Sequence, residues 1–297
     1  MDLRDLEVIV ALAEHRHFSR AADTCGISQP ALSGRIRKLE TDLGVPIVTR
    51  GNRFEGFTVE GEIALQWARR LLADKDGLLQ DISRIRETVT GKLTIGVIPS
   101  SLPMISRLTV PFALAHPNVE ITILSRTSIE IQRGLDTFVF DAGVTYLHNE
   151  PLSNVLTRPL YKERYVLVCA RPMVGENRQT INWADAADLP LCLLTTDMQN
   201  RRIIDMLFGQ AGKVPNAHIF TNSFVAIVGH LRSGQIASVL PVDQANVMNL
   251  DGLVALPLTD PDAEHEIGLV ISDREPILPI VKRFWDELIA DDDAVTQ

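Results

Sequence analysis

Between Phe18 and Gly44 the chain alternates helix-forming and helix-breaking residues at a spacing that leaves few choices of fold. Phe18–Thr24 reads as a short helix that Ser19 can cap or start, and Gly26 punctuates a tight turn after it. Ser28 is a natural N-cap for the next helix, and Pro30 is tolerated in its first turn. Ala31, Leu32, Ile36, Leu39 and Leu43 then form an inward stripe, and Gly44 and Pro46 end the helix. Upstream, Leu3, Leu6, Ile9, Val10 and Ala13 recur at helical spacing over residues 2–15. Three short helices with a tight turn between the last two fit a helix-turn-helix, which periodicity alone does not establish.

Residues 47–57, with Arg50, Gly51, Asn52, Arg53 and Gly56, read as a small β-hairpin, or wing. From Thr58 to about residue 88 runs the longest helical pattern. Its seam is Val59, Ile63, Trp67, Leu71, Leu78, Ile82, Ile85 and Val89. A stripe of that length on a helix leaving a small domain is expected to bury itself against another helix, as a dimer seam; contact with the parent domain is the alternative. Beyond Gly91 strands and helices alternate. Strands are expected at Lys92–Ile98, Val119–Ser125, Phe140–Tyr146, Tyr165–Ala170, Leu191–Thr195, Ala217–Thr221, Ala237–Leu240 and Glu266–Ser272. Helices are expected near Arg201–Gln210, Ser223–Arg232 and Leu278–Ala290. Such alternation implies parallel β-α-β units and a helix-covered sheet.

Net charge bears on what the N-terminal unit can touch. The 297 residues carry a formal charge of −9. Residues 1–92 hold 14 Lys/Arg and 14 Asp/Glu, and residues 93–297 hold 15 and 24, so the acidic surplus lies wholly in the C-terminal part. Phosphate binding needs a local basic face, not a basic protein. No apolar run reaches the roughly 20 residues of a membrane span, and the acidic N-terminus, broken at Glu14, is not a signal peptide, so the cytoplasm is expected. Cys25, Cys169 and Cys192 lie far apart without metal spacing and read as buried or unreactive thiols, redox sensing being the lesser alternative. His15 and His17 form no metal set, and neither a metal nor a cofactor is expected.

Residues 18–44, FSRAADTCGISQPALSGRIRKLETDLG, strongly resemble the helix-turn-helix of LysR-type transcriptional regulators. The resemblance rests on Phe18-Ser19-Arg20-Ala21-Ala22, on Ser28-Gln29-Pro30-Ala31-Leu32-Ser33, and on Ile36, Leu39-Glu40 and Leu43-Gly44. It extends through the wing and long helix and, more weakly, through the whole chain. Many members continue with an apolar-Phe-x-Arg stretch, basic residues and Leu-Thr-x-Ala-Gly. Here stand Ile47-Val48-Thr49-Arg50, Gly51-Asn52-Arg53 and Phe57-Thr58-Val59-Glu60-Gly61, and Glu55 dilutes the wing. The resemblance implies an α/β protein with an N-terminal all-α winged helix-turn-helix (1–58), a long linker and dimerisation helix (59–90), and a two-lobed effector-binding domain resembling periplasmic binding proteins (91–297). Lobe I would take about 91–161 and 266–297, and lobe II about 162–265. It also implies ligand sensing, homodimers assembling into a homotetramer, and RNA polymerase as a further candidate partner.

The major groove admits an α-helix, so a helix opening at Ser28 would present its first turns to base edges. Gln29 suits adenine, Ser33 is short and adaptable, and Pro30 offers apolar contact to a thymine methyl. Arg35 suits guanine or phosphate. Arg37 and Lys38 suit phosphates, as do Ser19 and Arg20 from the preceding helix. Arg50 and Arg53 would follow the backbone or enter the minor groove. Each of these polar and basic groups could equally form a solvated helix face. Two copies would read a dyad-symmetric site in double-stranded DNA.

In open α/β sheets ligands settle beyond the carboxyl ends of strands, near helix N-termini. Three hydroxyl-bearing corners fit: Ser100 and Ser101; Thr127 and Ser128; Thr195 and Thr196, with Gln199 and Asn200 close by. Ser223 and Tyr146 are further wall candidates. Hydroxyls and free N–H groups there suit a small, anionic effector, although helix capping is the other use of such residues. Two rival readings are an enzyme and a solute-binding protein. No GxSxG, glycine-rich phosphate loop or HExxH supports the enzyme, and neither rival accounts for the first 90 residues.

Overall fold

A computed structural model describes residues 1–50, 54–84 and 89–292. The N-terminal unit packs α1 (Leu3–His15), α2 (Phe18–Thr24) and α3 (Gln29–Leu43) around one core. Asp2 opens α1 with a capping box, its carboxylate accepting from the Asp5 N–H while the Asp5 carboxylate accepts from Asp2 N–H. Ser28 caps α3, accepting from the Ala31 N–H, and Gly44 closes it in the left-handed region. The buried face of α1 is Leu6, Val8, Ile9, Ala11 and Leu12. The expected stripe is displaced, with Leu3 exposed and Val10 and Ala13 half-buried. On α3, Leu32, Ile36 and Leu39 are buried, whereas Ala31 and Leu43 face outward.

The wing is β1 (Val48–Arg50) paired antiparallel with β2 (Phe54–Phe57). Phe18 packs edge-on against Phe54, tying α2 to the wing. The chain then enters α4 (Val59–Arg84). Thr58 Oγ1 donates to Pro46 O at 2.8 Å and accepts from Gly61 N–H at 2.9 Å. A Cβ on Gly61 would stand 1.9 Å from Ile47 O, so only glycine lets the helix start this close to the wing. Leu65 and Ala68 of α4 are buried in the N-terminal core, with Leu72 packed against it.

The opposite face of α4 is bare. Val59, Ile63, Trp67, Leu71, Leu78 and Ile82 are all exposed, Ile63 to 54% and Trp67 to 56%. These are the residues of the expected dimer seam. Ile85 lies outside the described residues, and Val89 lies beyond the described helix and packs against the C-terminal core. Gln80 Oε1 accepts from the Ile280 N–H at 3.2 Å, and Asp74 pairs with Arg274 at 3.6 Å, fastening α4 to the C-terminal unit.

That unit holds two α/β lobes. The first contains β3 (Gly91–Val97), α5 (Ile105–Ala115), β4 (Val119–Ser125), α6 (Ser128–Asp136), β5 (Ala142–Tyr146) and β6 (Val155–Glu163). The second contains β7 (Tyr165–Ala170), β8 (Ile181–Asn182), α7 (Trp183–Ala187), β9 (Leu191–Leu194), α8 (Gln199–Gln210), β10 (Ala217–Thr221), α9 (Phe224–Leu231), β11 (Ser238–Pro241), α10 (Val242–Val247) and β12 (Leu253–Thr259). The chain returns to the first through β13 (His265–Ser272) and α11 (Pro279–Asp292). The first sheet has the order β4-β3-β5-β13-β6, parallel among β3, β4 and β5, with β13 antiparallel to β5 and β6. In the second, β11-β7-β12-β8 form one sheet and β10-β9 another, linked by a bridge from Leu191 to Ala237. The expectation of parallel units therefore holds for part of each lobe. The chain crosses between lobes twice, once at Arg164 and once between Thr259 and His265, and the Arg164 guanidinium pairs with Glu264 across the two crossings.

Candidate DNA-binding face and interlobe site

Ser28, Gln29, Pro30 and Arg37 are exposed on α3, and Ser33 is half-buried. Gln29, Ser33 and Arg37 are spaced by four and so share one face. Arg35 and Lys38 turn elsewhere. Arg35 Nη1 donates to Asp5 Oδ1 at 2.7 Å, and Lys38 Nζ to Asp5 Oδ2 at 3.0 Å. Asp2 reinforces both at longer range. Burial pushes the Asp5 carboxyl up, but the Lys38 hydrogen bond, the Asp2 N–H and Arg35 outweigh it and hold the group below its ordinary value. Both cations thus reach solvent with a carboxylate already at their heads. The reading of α3 as a row of free basic residues missed this. Its signal was the Asp2-x-x-Asp5 box, which places two carboxylates at the start of α1.

Arg37 makes no ion pair among the described residues. Ser19 and Arg20 stand exposed at the first turn of α2. Arg50 closes β1 with its backbone. Its side chain, and the whole of Arg53, lie outside the described residues.

The second site lies where the lobes meet. Ser100, Thr127, Ser128 and Gln199 line one crevice together with Tyr146, Asn200 and Met198. The crevice is nearly shut, at about 10 Å³, room for a single water. Thr127 Oγ1 is committed to a capping box, accepting from Glu130 N–H and donating to the Glu130 carboxylate. Ser128 Oγ donates to Glu150, which also pairs with Arg202 of α8. Gln199 Nε2 donates to His148 O at 3.2 Å, a second link between the lobes. α8 opens without a side-chain cap at Met198. Thr195, Thr196, Ser101 and Ser223 do not line this crevice. Ser101 accepts from the Tyr161 hydroxyl at 3.0 Å, and Thr195 Oγ1 is buried without a partner among the described residues.

Behind the crevice lies a polar cluster that the sequence concealed. Tyr146 OH, at the end of β5, donates to Glu163 Oε1 at 2.5 Å. Asn200 Nδ2, from α8, donates to Tyr146 OH at 2.9 Å and to Glu163 Oε1 at 3.3 Å. Glu163 is 1% exposed and sits beside the first lobe crossing. Burial pushes its carboxyl up to about 7, even with Tyr146 and Asn200 hydrogen-bonded to it. Glu163 Oε2 and Asn200 Oδ1 have no hydrogen-bond partner among the described residues. In the sequence Glu163 stands between Lys162 and Arg164, a run that reads as a solvated face.

The comparisons with known proteins agree with this layout. Residues 3–62 match the model described as bacterial regulatory helix-turn-helix protein, lysR family, and residues 86–292 match the LysR substrate binding domain. The chain is 32% identical over 282 residues to the DNA-binding transcriptional dual regulator OxyR of Escherichia coli (strain K12), covering 93% of this chain and 91% of that one. It is 33% identical over 248 residues to the SDS degradation transcriptional activation protein of a Pseudomonas species, covering 82% and 79%. In fold it is similar to a full-length OxyR variant from Pseudomonas aeruginosa (TM-score 0.74, 24% identity, 96% and 97% covered). It is also similar to CbnR, a LysR family regulator, complexed with its target DNA (TM-score 0.70, 21% identity, 96% and 98% covered). These families and relatives are regulators of transcription, not enzymes. The chain belongs to the LysR family of transcriptional regulators, joining a DNA-binding winged helix-turn-helix to an effector-binding domain.

Proposed function

We propose that this regulator reads a dyad-symmetric operator with Gln29, Pro30 and Ser33, holds phosphate with Arg37, Ser19, Arg20, Arg50 and Arg53, and answers to a small anion seated between its lobes. The domains divide at about 58 and 90, with lobes at 91–161 plus 266–297 and at 162–265. The exposed stripe of α4 pairs two chains, and two pairs form the tetramer. The protein acts in the cytoplasm, beside its DNA. Among the described residues no helix is long and apolar enough to cross a membrane.

The observation that carries the effector reading is the crevice itself: Ser100, Thr127 and Ser128 from one lobe face Gln199 and Asn200 from the other. The uncapped start of α8 supplies N–H groups and a favourable helix end for an anion. A void this small admits no metabolite, so an effector that enters must part the lobes and shift the population toward an open form. Thermal-shift screening of small carboxylates tests this. Ser100→Ala with Gln199→Ala should abolish the stabilisation while leaving operator retardation intact; an undiminished response removes the site. Gln29→Ala should relax sequence preference more than it weakens non-specific binding, and a uniform loss of affinity removes the base-reading role.

Several relatives bear the name hydrogen peroxide-inducible genes activator, among them those of Pectobacterium carotovorum and Haemophilus influenzae. In this chain Cys169 and Cys192 are fully buried and Cys25 half-buried, and burial pushes each thiol up, Cys169 to about 11. Reactive sensor thiols are exposed and acidic. The signal here is a bound molecule, not an oxidised thiol.

A further inference from the structure

A second concavity, independent of the interlobe crevice, lies between the winged helix and the first lobe. It encloses about 380 Å³, within the range of small-molecule sites. Four guanidinium groups converge on it: Arg16 from the end of α1, Arg69 from α4, Arg126 from the end of β4 and Arg133 from α6. None of the four makes an ion pair among the described residues. Arg126 donates to the adjacent Ser125 O, and the other three have no side-chain hydrogen bond among the described residues. Two glutamates also line the groove, Glu62 exposed and Glu130 with one carboxylate oxygen in the Thr127 capping box, so the four guanidinium groups outnumber the carboxylates of the lining by two. The floor is aromatic, with Phe54 and Phe57 from the wing and Phe140 from the first lobe.

Arg69 and Arg126 are half-buried beside phenyl rings, and Arg16 and Arg133 reach the groove from its exposed rim, so the groove carries a positive excess. Burial pulls the Arg69 guanidinium below its ordinary value; the charges of Glu14 and Glu62 oppose this, and the like charge of Arg133 adds to it. An anionic group would relieve that repulsion and take bidentate hydrogen bonds from the arginines. An apolar body attached to it would cover the rings. We propose that this groove is a binding site for a small amphipathic anion, a carboxylate, sulfate or phosphate head on a short apolar tail. It is a free small molecule, because the groove is a concavity between two domains, of a size that suits a small ligand, and not a flat face for a bilayer surface. Its occupant touches the wing on one side and the first lobe on the other, and so fixes the DNA-binding unit relative to the effector domain.

Calorimetric titration of the full chain with octanoate tests this. Octanoate should bind saturably at one site per chain, with acetate and 1-octanol each weaker by roughly tenfold or more, because each lacks half of the recognition. Arg69→Gln with Arg133→Gln should weaken octanoate by at least roughly tenfold. Arg133→Gln alone should melt no lower than the wild type, since it removes a like charge. Ser100→Ala with Gln199→Ala should bind octanoate as the wild type does. The proposal fails if octanoate does not saturate, if 1-octanol binds equally well, or if the arginine variant binds normally. It fails too if the crevice variant is the one that loses binding. Loss of DNA affinity in the arginine variant, with no octanoate binding to the wild type, would assign these arginines to DNA phosphates instead.

Discussion

Arg35 of the recognition helix and Asp5 of the first helix are joined at 2.7 Å, with the Asp5 side chain wholly buried and Lys38 on its other oxygen. This pairing separates cations that hold the domain together from cations free to meet DNA. Each phosphate neutralised by a protein cation releases counterions and adds to the salt dependence of binding. Arg37, unpaired, should therefore behave as a phosphate contact. Arg37→Gln should weaken binding to all sequences alike and lower the slope of log K against log salt by about 1. Arg35→Gln should leave that slope nearly unchanged and instead lower the melting temperature, because it strips a partner from a buried carboxylate. Retardation assays across a salt series, with thermal melts of both variants, distinguish the two roles. Equal slopes for both variants would contradict the division.

The bare face of α4 leads to a second expectation. Trp67 and Ile63 lie one turn apart, both more than half exposed, while Leu65 and Ala68 on the other face are buried against the N-terminal core. A charge at Ile63 or Trp67 removes little of the chain's own packing, chiefly the Arg70 guanidinium stacked on the Trp67 ring, but opposes burial against a second helix. Ile63→Asp with Trp67→Glu should leave the chain's own melting temperature close to wild type and lower the mass measured by light scattering to half that of the tetramer or less. Retention of the assembled mass would place the interface elsewhere.

How much of this was legible in the residues depends on whether local pattern or distant packing decides. The caps at Ser28 and Gly44 and the strands Val119–Ser125, Tyr165–Ala170 and Ala217–Thr221 follow from local signals, and the structure places them as expected. β6 and β12 were not legible. Pro159 interrupts β6, which lies at the edge of its sheet where a missing N–H is tolerated, and Pro257 interrupts β12. The α4 periodicity exposed a stripe but also carried a buried one, and spacing cannot say which face meets which partner. At the interlobe site, Ser100, Thr127, Ser128 and Gln199 come together as the strand-end rule implies. Thr195, Thr196 and Ser223 share the chemistry but not the position. Glu163 is invisible in sequence because its burial is created by Tyr146 and Asn200, 17 residues before it and 37 after it.

The Glu163 cluster makes stability depend on pH in an unusual sense. An unfolded chain releases this proton near 4.5, whereas the folded one holds it to about 7. Between those values the folded state binds more protons, so stability falls as pH rises and levels off above about 7. The full effect is on the order of 3 kcal/mol. Glu163→Gln keeps a hydrogen-bonding group of the same size beside Tyr146 and has no charge to bury. Its melting temperature relative to wild type should climb between pH 5 and pH 8, values spanning that interval. A difference that stays constant across this range would mean that Glu163 is not held protonated.

The thiols supply the last expectation, and it divides this chain from relatives named for peroxide. Sulfur attacks peroxide as thiolate, and a thiol near 11, as at Cys169, is almost wholly protonated at neutral pH. Cys192 is as deeply buried, on the strand β9, and Cys25 touches the Glu7 carbonyl from within the N-terminal core. Operator affinity measured before and after exposure to excess hydrogen peroxide should therefore agree within a factor of about two, well under the fivefold lower end of ordinary allosteric coupling. The triple variant Cys25→Ser, Cys169→Ser, Cys192→Ser should behave as the untreated protein does. The substitutions at Cys169 and Cys192 place hydroxyls in apolar surroundings, so that variant should melt lower without changing the peroxide result. A large, thiol-reversible change in the wild type that vanishes in the variant would return the chain to the redox sensors and remove the bound-molecule reading.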